Sequence, residues 1–223
     1  MNLINTFFNL QVMIESLPAL LWGLAVTLQI GVTSILCGLA GGLALAVTRL
    51  YAPAFVKWLI RIYIDFFRSI PLLVLLIVIY YALPFVGIRL SPFLSAVTAL
   101  SLVSAAYTAE IFRAGIEAIP HGQFEASAAL GLSNRHTMVD VILPQAIRIV
   151  IPPLTNNCIN VMKDTALASV VAMPDLLKQA TQAQALAANP TPLIGAALIY
   201  VALLWPMVAV VARLEKHFSR GKR

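Results

Sequence analysis

Polar and apolar residues are distributed along this chain in long blocks. Five blocks are apolar and almost free of charge, over residues 20–47, 69–88, 93–112, 149–162 and 193–212. A helix of about 20 apolar residues is long enough to cross a bilayer. The pattern therefore predicts about five transmembrane helices, the fourth shorter and more polar than the rest.

The charged residues between these blocks are distributed asymmetrically. Twelve basic residues fall in the first loop, the second loop and the C-terminal tail, against Arg89 alone on the turn between the second and third blocks. Basic residues concentrate on the cytoplasmic side of membrane proteins. We therefore expect an uncleaved N-terminal segment (1–17) outside, a membrane domain (18–213) and a basic cytoplasmic tail (214–223). For the amphipathic stretch 176–188, a re-entrant and an outer-facing helix both remain open.

Composition excludes a soluble protein. Of the 223 residues, 61% are hydrophobic and 11% charged, and the mean hydropathy is +0.91. These values indicate an all-α polytopic membrane protein. The net charge of +6 does not indicate nucleic-acid binding, because the basic residues lie beside the apolar blocks. Cys37 and Cys158 lie inside apolar runs, and the three histidines have no metal-ligand spacing, so we expect neither metal nor cofactor on this chain.

Residues 117–145 are too polar to span and are rich in helix-forming residues. Pro120 can begin a helix, EASAAL favours it, and Gly131 can adopt the left-handed conformation that ends it. Ser133 can cap a second short helix. The pattern predicts two short helices that form a projecting docking element.

This stretch also carries a family resemblance. EASAALGL followed by ILPQA resembles the EAA loop of ABC-importer permeases, with Ser127 where the second Ala is usual. DFFRSIPLLVLLIVIYY, AAYTAEIFRAGIEAIPHGQFEA, ILPQAIRIVIPPLTNN and MKDTALASVV are together similar to permeases of the polar amino-acid subfamily. The resemblance covers about residues 18–216.

The resemblance implies a type I ABC importer permease fold with a cytoplasmic helical coupling loop. It implies a dimer with a second copy or a paralogous permease, an ABC ATPase dimer that carries ATP and Mg, and a periplasmic or lipoprotein solute-binding protein. Independently, no GxxxxGK[ST] phosphate loop occurs in the chain. The residues expected to couple to the ATPase are Gly122, Glu125, Ala126, Ser127, Leu130, Gly131 and Pro144. For Glu125, the alternative is an exposed acid favoured by the helix dipole.

A polar face in the fourth block is a candidate substrate path. Asn156, Asn160, Lys163 and Asp164 are three or four residues apart, and Asn157 lies beside them. Lys163, Asp164 and the amides offer partners to the carboxylate and ammonium of an amino acid. The alternative is that these residues bind neighbouring helices together.

Two further acids allow alternative interpretations. Glu110 follows twenty uncharged residues, which favours a pathway or gating role, but Arg113 one turn later could pair with it. Asp65 and Arg68 are three residues apart at a helix entry, a spacing that allows either a local ion pair or a functional role.

The sequence thus predicts an inner-membrane permease that translocates a polar amino acid by alternating access. KDTALASVV and IYYALPFVGI look most like permeases for cystine and related amino acids, with glutamate, glutamine and basic amino acids as further candidates. The main alternative is an ion-gradient-driven secondary transporter, which should show two repeated halves. A membrane scaffold or sensor that binds an ATPase-like partner is a third possibility.

Overall fold

The computed structural model describes residues 6–219, and all regular elements in this range are helical. Four helices are long and apolar enough to cross a membrane: Leu10–Tyr51, Pro92–Glu117, Asn134–Val171 and Thr191–Lys216. A fifth candidate span is a helix pair with a bend of 101°. The predicted all-α fold with about five spans is confirmed. Residues 1–5 and 220–223 of the predicted terminal segments lie outside the described range.

The first helix, α1 (Leu10–Tyr51), begins ten residues before the apolar run that predicted it. Asn9 Oδ1 accepts hydrogen bonds from the backbone N–H groups of Gln11 (3.1 Å) and Val12 (3.3 Å). Such a side-chain cap satisfies donors that the first helical turn leaves free. A polar cap, rather than the onset of hydrophobicity, therefore sets the start of α1.

The basic loop predicted after the first span is instead a helix, α2 (Ala54–Ser69). Ile60 and Ile64, four residues apart, are both buried, so one face of α2 packs against the protein. The four basic residues of this stretch suggested a loop because they break the apolar run. Arg49 instead lies in the last turn of α1, and the other three occupy one part of the amphipathic surface of α2.

Pro71 separates α2 from α3 (Leu72–Ile77), which continues through a π-turn and a 3₁₀ turn to Val86. A residue before proline is pushed out of the helical region, and Ile70 is extended, with φ −81° and ψ 131°. The apolar stretch predicted as the second span is therefore helical from Leu72 rather than from residue 69, and it is a candidate span only as the bent pair with α2.

The helix α4 (Pro92–Glu117) packs closely along α1 and extends five residues beyond the predicted end. A Cβ added at Gly42 would lie 2.4 Å from Thr108 Cβ, and one at Gly38 would lie 2.4 Å from Ser104 Oγ. Small residues allow two membrane helices to approach this closely. The contact holds the polar side chains of Ser104 and Thr108 at the centre of the bundle.

The first helix of the predicted docking element is confirmed as α5 (His121–Ala129), and Gly131 follows it with φ +76°. Ser133 caps the next helix as predicted, its Oγ accepting a hydrogen bond from the backbone N–H of His136 (3.4 Å). That helix does not stop before the fourth span, however. The second short helix and the fourth apolar block are one continuous element.

This element contains α6 (Asn134–His136), a π-turn, α7 (Leu143–Asp164) and a 3₁₀ turn that ends at Val171. The predicted boundary at residue 149 is therefore wrong. Pro144 lies in the first turn of α7, where a proline is well tolerated.

The segment left open by the sequence forms a single helix, α8 (Leu176–Ala187), followed by α9 (Thr191–Ser219). Leu176 and Ala180 of α8 pack with Leu20 of α1 and Ala196 of α9. The α8 helix therefore lies against the N-terminal half of α1. Arg49 lies in the last turn of α1, at its opposite end.

Candidate functional site

A polar cavity of about 270 Å³ lies between α3, α4 and α7, and we call it the α7 cavity. Its polar lining residues are Ser104, Tyr107, Asn157, Asn160, Lys163 and Asp164. Leu72, Leu100, Val103 and Val161 complete its wall. A cavity with both charges and amides inside an apolar bundle is a candidate solute site.

The structure brings most of the predicted polar face to this cavity. Asn160, Lys163 and Asp164 line it, whereas Asn156 is exposed and is not part of its wall. Asn157 lines the cavity in place of Asn156 and is only 8% exposed. Its Nδ2 donates to Ser104 Oγ (3.2 Å) and to Thr108 Oγ1 (3.3 Å). Asn157 thus binds α7 to α4, while Asn160 is exposed towards the cavity.

The cavity can accommodate a zwitterion on chemical grounds. The Lys163 ammonium can donate to a carboxylate, and the Asp164 carboxylate and the Asn160 amide can accept from an ammonium group. The two charges are adjacent in sequence at the end of α7. Sequence reasoning missed Ser104 and Tyr107, although Ser104, Tyr107 and Thr108 form a polar stripe at helical spacing in the third apolar block.

Glu110 lies outside the α7 cavity, in an ion cluster that we call the Glu110 cluster. Arg113 binds it in a bidentate manner, with Nη2 at 2.6 Å from Oε1 and Nε at 2.9 Å from Oε2. Arg68 Nη1 lies 3.5 Å from Glu110 Oε1 and Arg49 Nη1 lies 3.9 Å from Oε2. Glu117 also pairs with Arg113. Residues of α1, α2 and α4 therefore meet at one carboxylate.

The Glu110 cluster shows the ion-pair partners of Glu110 and Arg68, which the sequence left open. Arg113 does pair with Glu110, as the near-interface interpretation expected. The predicted local pair between Asp65 and Arg68 is not formed, since Arg68 turns to Glu110 and no residue of the described chain lies within 4 Å of Asp65 as an ion-pair partner. A carboxylate brought close by tertiary packing, that of Glu110, takes the place of the local partner. A gating role for Glu110 stays a prediction.

The α5 helix presents an uncovered surface. Glu125, Ala126 and Pro144 are exposed, and Leu130 is 80% exposed. Gly122 is also exposed, and no atom lies within 4 Å of the position of an added Cβ there. These residues are therefore accessible to a partner, as the docking prediction requires.

The opposite side of α5 holds it to the rest of the chain. Ser127 is only 2% exposed, and its Oγ donates to the backbone carbonyl of Gln123 (2.7 Å). Phe124 packs against the buried cluster of Ile119, Ile142 and Ala146. Ser127 therefore points inward, unlike the other residues predicted for the docking surface.

Comparison with known proteins agrees with this architecture. Residues 34–223 match the family model of the binding-protein-dependent transport system inner membrane component. The probable amino-acid ABC transporter permease YckA of Bacillus subtilis is 40% identical over 78% of this chain and 76% of its own length. The arginine transport system permease ArtQ of the same organism is 38% identical over 91% of this chain and 94% of its own length.

A solved amino-acid ABC transporter, crystallised with histidines, is similar in three dimensions. Its matching chain has a TM-score of 0.87 and 34% identity, and the match covers 92% of this chain and 96% of that one. The family model, the permease relatives and the shared fold agree with one another. This chain therefore belongs to the binding-protein-dependent transport system inner membrane components, as a permease of the polar amino-acid ABC importers.

Proposed function

We propose that the α7 cavity lies on the path by which this permease carries its amino acid across the membrane. The observation that carries this proposal is that a cation and an anion, Lys163 and Asp164, line one cavity together with the Asn160 amide. Charged side chains are expensive inside a membrane unless they face a cavity or a partner. An amino acid carries both opposite charges, so its binding offsets part of the free-energy cost of holding Lys163 and Asp164 inside the membrane.

The substrate we propose is a polar amino acid, with cystine as the first candidate because of the KDTALASVV and IYYALPFVGI segments. The names of relatives specify arginine, glutamine, L-cystine or glutamate and aspartate. These side chains differ in charge, but all the substrates share the α-carboxylate and α-ammonium groups. Lys163 and Asp164 are suited to these shared groups.

The energy for transport comes, in this proposal, from an ABC ATPase dimer on a separate polypeptide that binds ATP and Mg. The exposed surface of α5, with Glu125, Ala126 and Leu130, is where the ATPase would dock. Movement of α5 would be transmitted directly, because Phe124 packs on Ile142 and the same continuous helix leads to the α7 cavity. A second permease, either a copy or a paralogue, completes the unit.

The proposed orientation places the N-terminus outside the inner membrane and the C-terminus in the cytoplasm. The α5 surface and the Glu110 cluster then lie on the cytoplasmic side, and α8 lies towards the outside. A solute-binding protein would deliver the amino acid to that outer face. The distribution of basic residues supports this orientation.

The test is ATPase activity in liposomes that contain this chain and its co-purified partners. Binding proteins loaded with cystine, glutamate, glutamine, histidine or arginine would be added one at a time. We expect one loaded binding protein to stimulate hydrolysis while its unloaded form does not. If no ATPase co-purifies, and labelled amino acid enters in response to an imposed ion gradient, the secondary-transporter alternative would replace this proposal.

A further inference from the structure

A second cavity, of about 520 Å³, lies between the end of α1, α2 and α4, and we call it the basic pocket. Its charged and aromatic lining residues are Arg49, Lys57, Trp58, Arg61, Arg113 and Glu117. It shares no residue with the α7 cavity. The proposed transport path leaves this cationic site without a function.

The charges of the basic pocket are only partly balanced by the protein. Arg49 and Arg113 both face Glu110, and Arg113 also pairs with Glu117. Lys57 and Arg61 have no carboxylate within 4 Å in the described part of the chain, and Lys57 Nζ donates only to the backbone carbonyl of Leu50 (3.4 Å). Two cationic side chains of α2 are therefore available to an anion.

The α2 helix lines this pocket and has an exposed aromatic and apolar side. Phe55 and Trp58 stack on each other and are 67% and 57% exposed, and Ile62 and Phe66 are exposed as well. An amphipathic helix with aromatic residues on its apolar side and basic residues beside them lies in the membrane interface. A helix of this kind would hold Lys57 and Arg61 at the depth of the lipid headgroups.

An apolar groove of about 380 Å³ lies close to the basic pocket, along the seam between α1 and α4. It is lined by residues that include Cys37, Gly41, Ala44, Leu45, Tyr63 and Ala105. Ala105 of the groove is one helical turn from Ala109, which lines the basic pocket. Ile60 and Ile64 of α2 form a buried cluster with Ala109 at the boundary between the two sites. A molecule with an anionic head and an apolar chain would reach both sites by passing along the exposed apolar side of α2.

We propose that the basic pocket and the apolar groove form a binding site for one anionic phospholipid. The phosphate would lie between Lys57 and Arg61, beside the Trp58 ring, and an acyl chain would occupy the groove. Basic pockets between membrane helices bind lipid headgroups in this way. The groove distinguishes this ligand from free phosphate, which has no apolar part to fill it. The site does not depend on the proposed substrate path.

The experiment uses the complete complex in nanodiscs of phosphatidylcholine that contain a small fraction of spin-labelled lipid. The immobilised fraction of labelled phosphatidylglycerol is compared with that of labelled phosphatidylcholine. We expect phosphatidylglycerol to be favoured, and we expect Lys57→Gln and Arg61→Gln each to lower that preference about fivefold, since each basic residue contributes about that factor. Arg89→Gln, outside both sites, is the matched control and should leave the preference unchanged.

The groove is tested separately with Ala44→Phe, which places a large side chain on an exposed position of its wall. We expect this variant to reduce immobilisation of the labelled acyl chain without changing the mass of the complex. Equal immobilisation of the two lipids would overturn the proposal, as would displacement of phosphatidylglycerol by inorganic phosphate alone. Dissociation of the complex by Ala44→Phe with unchanged lipid preference would show that a second permease, rather than lipid, covers the groove.

Discussion

The guanidinium carbon of Arg68 lies 5.5 Å from the centre of the Tyr107 ring, within the range of a cation–π contact. Tyr107 lines the α7 cavity, and the same arginine lies 3.5 Å from Glu110 Oε1. Arg68 therefore connects the wall of the cavity to the Glu110 cluster. A movement of α2 would displace Arg68 and so alter both the cavity wall at Tyr107 and the Glu110 cluster.

The first prediction concerns the carboxylate at the centre of that cluster. We expect Glu110→Gln to lower the free energy of unfolding by roughly 1–3 kcal/mol, because it leaves three partly buried arginines facing one another without their shared anion. Thermal unfolding of the purified complex measures the loss. Glu117→Gln is the control, since Glu117 is 63% exposed and pairs with Arg113 alone, and it should have a much smaller effect. Equal effects of the two variants would contradict this account of the cluster.

The second prediction concerns Gly131, which has φ +76° directly after α5. We expect Gly131→Ala to insert into the membrane at normal abundance but to transport less, because a Cβ at this position costs about 1 kcal/mol and alters the end of the docking helix. Uptake per membrane-inserted molecule is the measurement.

Gly87→Ala is the matched control for Gly131→Ala. Gly87 has φ +84°, no atom lies within 4 Å of an added Cβ, and it is far from α5 in sequence. It carries the same backbone strain without touching the docking helix, so uptake should be unchanged. Normal uptake by Gly131→Ala would remove that residue from the coupling role.

The third prediction is a pH dependence of stability from Asp175, which lies between the fourth span and α8. Burial raises its pKa to about 6, although its Oδ1 accepts a hydrogen bond from the Lys178 N–H (3.1 Å). The folded protein then holds a proton that the unfolded chain releases near pH 4. This carboxyl therefore favours folding at low pH, and its contribution is lost as pH rises through about 6.

The variant Asp175→Asn tests this, because an asparagine keeps the helix-capping oxygen without the charge. We expect it to raise stability above pH 6, by about 3 kcal/mol at most for a shift of this size, and to give no advantage near pH 4. Thermal unfolding across this range is the measurement. A constant difference between variant and wild type at every pH would rule out the titration of Asp175.

The fourth prediction separates the two asparagines of α7. Asn157→Leu removes the hydrogen bonds to Ser104 and Thr108, so we expect loss of assembly or a free energy of unfolding lower by about 1–2 kcal/mol. Asn160→Leu should leave the complex assembled and alter substrate-stimulated ATPase activity. If Asn160→Leu instead fails to assemble, Asn160 has a packing role.

Much of the fold follows from the sequence, because long apolar runs between charged stretches have few alternatives in a membrane. The apolar run did not set the start of α1, which depends on the side chain of Asn9. Nor did it show that α6 and α7 are continuous, because the π-turn that joins them lies in a polar stretch. The α2 helix was not predicted, because an amphipathic helix with basic residues and a basic loop have similar mean hydropathy.

The site was predicted only in part for a related reason. Lys163 and Asp164 are conspicuous because a charge at the end of an apolar run is unusual. Ser104 and Tyr107 are not, since small or aromatic polar residues are common in membrane helices. Which asparagine faces the cavity depends on the rotation of α7 against α4, and that is set by contacts between distant residues such as Asn157 and Ser104.

The most direct test of the substrate path is a thiol probe at Asn160 in the complete complex, with Cys37 and Cys158 replaced by serine. For Asn160→Cys, we expect the loaded binding protein and ATP to slow modification by a water-soluble thiol reagent, and modification to stop amino-acid uptake. Asn156→Cys, exposed but outside the cavity wall, is the matched control and should be modified without loss of uptake. Modification of Asn160→Cys that substrate does not slow and that leaves uptake intact would contradict a path through the α7 cavity.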